Sequence, residues 1–319
     1  MRAIATHAAE PLGSQDVGIR DPEELEAEGA PARAEISPDA HPGPVHLTVS
    51  NLEQSVAYYE SVVGLRPLRR DDGSATVGSG GRELVVLVEE SGARSGAGYT
   101  GLYHIALLLP ERPQLARWLA HAARDRVPLT GLSDHFVSEA LYLSDPDGHG
   151  LEIYWDRPRE VWDGQVAERM TTVPLDVDSL LAELSDLGAA DFDGLPEGTV
   201  VGHVHLKVAS ISETIAFYRD VLGFALMASL GSQAAFLSAG GYHHHIGANT
   251  WESAGAGPPP AGTAALRHAT INVPDDEERQ RILDRVTDSG QEPEQTTTGP
   301  LIRDPSGNGL VVSVVDRLD

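Results

Sequence analysis

Short alternating runs and amphipathic stretches recur along most of this chain. VHLTV, from Val45, alternates apolar and polar residues as a half-buried strand does. An amphipathic helix follows, its Val56, Tyr59 and Val63 at helical spacing. After Gly64, ATVGSGGRELVVLVEE reads as two strands around a Gly-Gly hairpin. GLYHIALLLP is then a strand and PQLARWLAHAARD a helix. ALYLSDPDGHGLEIYW is a strand pair around a Pro-Asp-Gly turn. Residues 1–41 lack sustained periodicity and read as a mobile tail with a short helix near PEELEAE. Residues 158–200 read as a connector in which PLDVDSLLAELSDLG forms one amphipathic helix, and residues 253–263 as a Gly/Pro loop.

The pattern is repeated. VHLTVSNLEQSVAYYESVVGL, from Val45, matches VHLKVASISETIAFYRDVLGF, from Val204, at an offset of 159 residues. The same offset pairs DPDGHGLEIYW, from Asp145, with DPSGNGLVVSV, from Asp304. Each half divides again, so a strand–helix–strand–strand–strand unit is used four times. Module one spans about 43–98, module two 100–157, module three 202–252 and module four 263–317. The predicted class is α+β, with one domain over 42–157 and a second over 201–319.

Composition narrows the chemistry. The 319 residues carry 23 basic and 48 acidic groups, a formal net charge of −25. Such a surface repels phosphate backbones and anionic headgroups, so neither nucleic acid nor a membrane is an expected partner. No uncharged apolar run approaches the ~18 residues of a membrane span. The absence of cysteine excludes disulfides, thiolate metal sites and a cysteine nucleophile, and fits a cytoplasmic location. Thirteen histidines are the first hint of chemistry.

The four-module arrangement resembles the vicinal oxygen chelate superfamily, which includes glyoxalase I, fosfomycin-resistance proteins and type I extradiol dioxygenases. GLYHIALLLP, SDHFVSEALYLSDPDGHGLEIY and GGYHHHIGANTW look most like two-domain bacterial catechol 2,3-dioxygenases. The resemblance covers about 230 residues, nearly everything outside the tail and connector. It implies two cup-shaped curved mixed sheets, each built from two modules. It further implies metal ligands on the first strand (His) and last strand (Glu) of the modules lining a cup.

Each module can be tested for those residues. Module one has Pro44 at the histidine position, with His46 one pleat along. Module two has both His104 and Glu152. Module three has His203, with His245 at the matching place on its last strand. Module four has His268, but Val311 at the glutamate position. Only modules two and three together supply His104, Glu152 and His203, the two-histidine, one-carboxylate set of non-haem Fe(II) oxygenases. The expected site therefore spans the two sequence halves, with modules one and four forming a degenerate cup. The competing arrangement makes each cup from one sequence half and gathers His203, His245 and His268 in the second. A lone histidine on an apolar strand is more often a hydrogen-bonded core residue, which is the plainer reading of His46 and His268. Glu152 is different, because a carboxylate amid Leu151, Ile153 and Tyr154 is costly to bury without a partner.

The resemblance also implies roles beyond the metal. Strict alternation puts His243 and His245 on one strand face, and the acid–base histidine of extradiol enzymes transfers to His245. Tyr142, ten residues before Glu152, and His135 correspond to substrate-contacting groups. The implied activity is Fe(II)-dependent extradiol cleavage of a catechol-like aromatic with O2. One alternative is a non-redox glyoxalase-like enzyme on Mn, Zn or Ni with His245 as fourth ligand. The other is a metal-free small-molecule binding protein, in which the three residues would not converge.

Overall fold

The structure is a computed structural model describing residues 34–186 and 192–314. The helix expected near PEELEAE lies outside the described residues. Sixteen core strands fall into four sets of four. Module one contributes β1 (His41–Val49), β2 (Arg66–Asp71), β3 (Ser74–Ser79) and β4 (Arg82–Glu89). Module two contributes β5 (Gly101–Leu109), β6 (Gly131–Asp134), β7 (Ser138–Ser144) and β8 (Gly150–Asp156). Module three contributes β9 (Val200–Lys207), β10 (Ala225–Leu230), β11 (Ala234–Ser238) and β12 (Ile246–Asn249). Module four contributes β13 (Leu266–Val273), β14 (Glu294–Thr296), β15 (Gly299–Arg303) and β16 (Gly309–Val314).

Both sheets cross the sequence halves. One runs β6-β7-β8-β5-β9-β12-β11-β10, with the two-residue strand Val173–Pro174 added beyond β6. The other runs β14-β15-β16-β13-β1-β4-β3-β2. Modules two and three thus form one sheet through antiparallel β5 and β9, and modules one and four form the other through β1 and β13. The stretches 42–157 and 201–319 are halves of the repeat, but neither is one of the two sheets.

Alternation decides what each strand buries. Val45, Leu47 and Val49 on β1, and Ile105, Leu107 and Leu109 on β5, are fully buried beneath the helices. Helix α1 (Leu52–Tyr58) starts at an Asn51 cap whose side chain accepts from the Gln54 N–H. It runs on through a π-helical turn, Tyr59–Val63. Helix α2 (Arg112–Asp125) buries Leu115, Trp118, Leu119 and Ala122. Helix α3 (Ile211–Ile215), with its π turn Ala216–Leu222, repeats α1, and α4 (Asp276–Asp288) repeats α2. Both π turns end at a left-handed glycine, Gly64 (φ 93°) and Gly223 (φ 94°), where a side chain would be strained.

Two local expectations change. The end of the tail is docked: the Ile36 N–H donates to the Gly223 carbonyl at 3.0 Å, and the Ser37 N–H to Glu278 Oε1 at 2.8 Å. Apolar Ile36 is buried there, which offsets the cost of ordering the segment. In the connector, the expected single helix is α-helical only over Val177–Ala182 and tightens to 3₁₀ over Glu183–Asp186. Before it, Val173–Pro174 pairs with the sheet edge, and the helix starts only at Asp176, whose side chain caps it by accepting the Ser179 N–H.

In the sheet of modules one and four, His46 and His268 face each other across β1 and β13 and stack at 4.0 Å between ring centroids. Burial, with smaller contributions from His268 and two arginines, brings His46 down to about 3. Burial and Arg267 bring His268 down to about 4. Both values lie below 6.5, so the fold prefers the neutral rings and the unfolded chain takes up protons first. Their stability contribution is therefore present above pH 6.5 and lost as pH falls toward 4. Thermal unfolding in chelator across this range should show a falling midpoint. The His46→Phe/His268→Phe double variant should show a shallower fall, and equal slopes would remove the pair from the pH response.

Candidate metal centre

Three strands bring the site together through their register. On β5, Ala106 pairs with Glu152 of β8 on one side and with His203 of β9 on the other. His104 lies one pleat along from Ala106 on the same face, opposite His205 of β9. The fully buried Ala106 is small enough to leave room above it for the flanking Glu152 and His203 side chains to converge with His104. Glycine flanks the next row. A Cβ at Gly150 would meet the Tyr103 carbonyl at 2.0 Å, and one at Gly247 would meet His205 Nδ1 at 2.7 Å.

The result is a compact triangle. His104 Nε2 and His203 Nε2 each lie 3.0 Å from Glu152 Oε2 and 3.2 Å from one another. A cation with bonds of about 2.1–2.2 Å has adjacent octahedral ligands about 3.0 Å apart and tetrahedral ones nearer 3.5 Å. The observed edges match those of three ligands on one octahedral face. Protonation also suits a cation. Burial opposes ionisation of Glu152, but His203 and the hydrogen bonds from both histidines outweigh it and hold the carboxyl well below the usual range. Burial brings His203 down to about 4, against the pull of Glu152. Neutral imidazole and ionised carboxylate are the forms that bind metal. A buried carboxylate beside the neutral His203 ring is otherwise short of countercharge.

The triad opens onto a cavity of about 510 Å³. Its walls include His135, Tyr142, Tyr103, Phe236 and Trp251, with Met170, Thr171 and Thr172 of the connector closing one side. His135 Nδ1 faces both the Thr171 carbonyl and the Thr172 hydroxyl at 3.0 Å, and because the carbonyl only accepts, the tautomer that satisfies it carries the proton on this nitrogen. His135 Nε2 is then an acceptor, and the Tyr142 hydroxyl donates to it at 2.7 Å. Tyr142 and His135 thus act as a linked pair on the wall.

His245 stands elsewhere. Its Nδ1 accepts the Ala239 N–H at 3.2 Å, its ring stacks on Tyr242, and burial lowers it to about 3. It does not line the cavity. His244 does, with its ring 4.0 Å from that of His203. The expectation for His245 assumed an extended strand back from Ile246, but β12 only begins at Ile246. The preceding residues follow the left-handed Gly240–Gly241 turn in a bent path that breaks the period of two. Doubled glycine before three histidines was the available signal. The connector's share of the wall carried none, because its contacts depend on tertiary path.

Converging donors predict a selective loss. Glu152→Ala should abolish divalent-metal binding while leaving circular dichroism near wild type, and His268→Gln, in the other sheet, should bind metal normally. The check is metal stoichiometry after reconstitution and desalting, and full occupancy in Glu152→Ala would remove the triad from metal binding.

Comparison with known proteins agrees with this architecture. The family described as the Glyoxalase/Bleomycin resistance protein/Dioxygenase superfamily matches residues 41–153 and 200–312. A Catechol-2,3-dioxygenase of Bacillus subtilis (strain 168) is 39% identical over 286 residues, covering 88% of this chain and 99% of that protein. Among solved structures, a candidate dioxygenase from Bacillus subtilis aligns with TM-score 0.58 at 17% identity over 88% of this chain and 86% of its own. Glyoxalase I from Zea mays aligns with TM-score 0.51 at 17% identity over 86% and 92%. These last two likenesses speak for the fold alone. Among the described residues no helix is long and apolar enough to cross a membrane. The chain belongs to the glyoxalase/bleomycin resistance protein/dioxygenase superfamily.

Proposed function

We propose that this chain is an Fe(II)-dependent extradiol dioxygenase that cleaves a catechol-like aromatic with O2. The observation that carries the reading is the His104–Glu152–His203 triangle, its edges matching one octahedral face, at the wall of a cavity of small-molecule size with aromatic walls. The 39% identity to a protein named Catechol-2,3-dioxygenase supports it. His104, His203 and Glu152 would hold the ion, and two nitrogens with one carboxylate suit Fe(II). Bound there, iron supplies the coordination positions and the redox chemistry that join a diol to O2.

The remaining residues handle the ring and its protons. Tyr103, Phe236 and Trp251 offer aromatic faces and edges to an aromatic substrate. Tyr142, its proton committed to His135, presents oxygen lone pairs and accepts from a substrate hydroxyl. His244 is the acid–base group, in place of the expected His245. Burial and the neighbouring histidines hold it well below its ordinary value, so the ring is neutral, the form in which an imidazole has a lone pair for a diol proton. The same nitrogen can return that proton later in the cycle. Closure by the connector limits water around these transfers.

Two measurements test this. Fe(II)-reconstituted protein should consume O2 with a catechol and place both atoms of ¹⁸O2 in the ring-opened product. Metal-loaded protein that turns over no catechol would overturn the reading. His244→Asn should retain near-stoichiometric iron while kcat falls about 10²–10⁴-fold, the usual worth of a general acid–base group. His245→Asn should change kcat less than about tenfold on the same scale. The reverse order would return the proton-transfer role to His245.

A further inference from the structure

His244 does not stand alone behind the cavity. Its Nδ1 lies 2.9 Å from Nδ1 of His243. The other nitrogen of His243, Nε2, lies 2.9 Å from Asp156 Oδ1. The second oxygen of Asp156 accepts from the Tyr242 hydroxyl at 2.7 Å, and Tyr242 is in turn 2.8 Å from the Tyr154 hydroxyl. His243 is fully buried, with its ring against Tyr242 at 4.0 Å and Trp162 at 5.5 Å between centroids. Asp156 ends β8, the strand that carries Glu152, and His243 lies on the bend before β12. The chain of hydrogen bonds therefore ties the Glu152 strand to the His244 bend.

We infer that Asp156 and His243 are positioning residues that lock His244 in the tautomer with its proton on Nδ1, leaving Nε2 bare toward the cavity. The argument is one of donors and acceptors. An ionised carboxylate only accepts, so Asp156 draws the His243 proton to Nε2. A neutral imidazole has one N–H, so His243 Nδ1 is then an acceptor. The 2.9 Å contact between the two Nδ1 atoms needs one proton, and His244 must supply it. His244 Nε2 is left with its lone pair and no proton, the form required of a base. Two adjacent histidines without the carboxylate would leave the direction of that contact undetermined. Tyr242, donating to Oδ2, keeps the carboxylate aimed so that Oδ1 serves His243 alone.

The inference rests on the proposed function only for its kinetic arm. The direct test uses the full chain, metal-free and labelled with ¹⁵N-histidine. Imidazole ¹⁵N shifts and long-range proton correlations report which nitrogen carries the proton, independently of any activity. The expected signature is Nε2–H for His243 and Nδ1–H for His244. A proton on His244 Nε2, or protons on both nitrogens of His243, overturns the assignment. In the iron-loaded enzyme, Asp156→Asn should keep its metal and nearly its KM while kcat falls about 10–100-fold, the range seen when partners of site residues are removed. Tyr242→Phe, which leaves the His243–Asp156 bond in place, should keep wild-type tautomers. Unaltered kcat in Asp156→Asn also overturns the inference. If no catechol is turned over at all, the spectra of the wild-type protein still decide it.

Discussion

The site depends on one strand pairing, β5 against β9. These strands come from different halves of the repeat, and their antiparallel register sets His104 opposite His205 and Ala106 opposite His203. A shift of one residue would turn every side chain of one strand to the other face and send its histidine into the apolar layer beneath the helices. Parallel pairing of β5 with β8 adds Glu152 beside Ala106. Three candidate ligands from three strands then converge without a loop to place them. Sheet hydrogen bonds fix their backbones before any cation arrives, which is the preorganisation a metal site needs.

Something must keep the two sheets in step, and the repeat supplies it twice. Asp145, at the turn between β7 and β8, accepts the N–H groups of Asp147 and His149 on one carboxylate oxygen. Its other oxygen receives the buried Tyr59 hydroxyl, from the π turn of the other sheet's module, at 3.3 Å. Asp304 repeats this with Ser306, Asn308 and Tyr218. The His149 ring reaches the Thr48 carbonyl at 3.0 Å, and the Asn308 amide reaches the Lys207 carbonyl at 3.3 Å, the corresponding place on β9. The motif that reads in sequence as a plain turn is thus a clasp between sheets. Burial raises both aspartates and both tyrosines, so the tyrosine hydroxyls keep their protons and each clasp is a buried O–H donor set against a carboxyl oxygen.

Much of this was legible in the sequence for a physical reason. Alternation and helical spacing are local, so the strands and helices of all four modules show in the chain. The choice between cup pairings was legible too, because only one pairing gives a buried glutamate two histidines. What failed was equally physical. His245 was assigned by carrying a period of two through residues 242–245, where the chain bends after two left-handed glycines. Once the bend is made, His244 takes the cavity and His245 packs on Tyr242. The pairing of Asp156 with His243 has a separation of 87 residues and no local signature at all. Tertiary path likewise decided the connector's part in the cavity wall.

The sheet of modules one and four shows what the triad does to its own geometry. There His268 takes the place of His104 and His46 that of His205, in the same antiparallel row. Pro44 and Val311 stand where the other sheet has His203 and Glu152. With no carboxylate beside it, His268 stacks on His46 at 4.0 Å with an interplanar angle of 25°. In the other sheet His104 and His205 sit 4.9 Å apart at 68°. The hydrogen bond to Glu152 Oε2 turns His104 out of the stack and aims its Nε2 at the shared centre. Stacking is the resting state of two neutral rings in this row, and the carboxylate is what converts it into a ligand set. Two substitutions on a common backbone therefore separate a candidate metal site from a packed core, and the repeat keeps one of each.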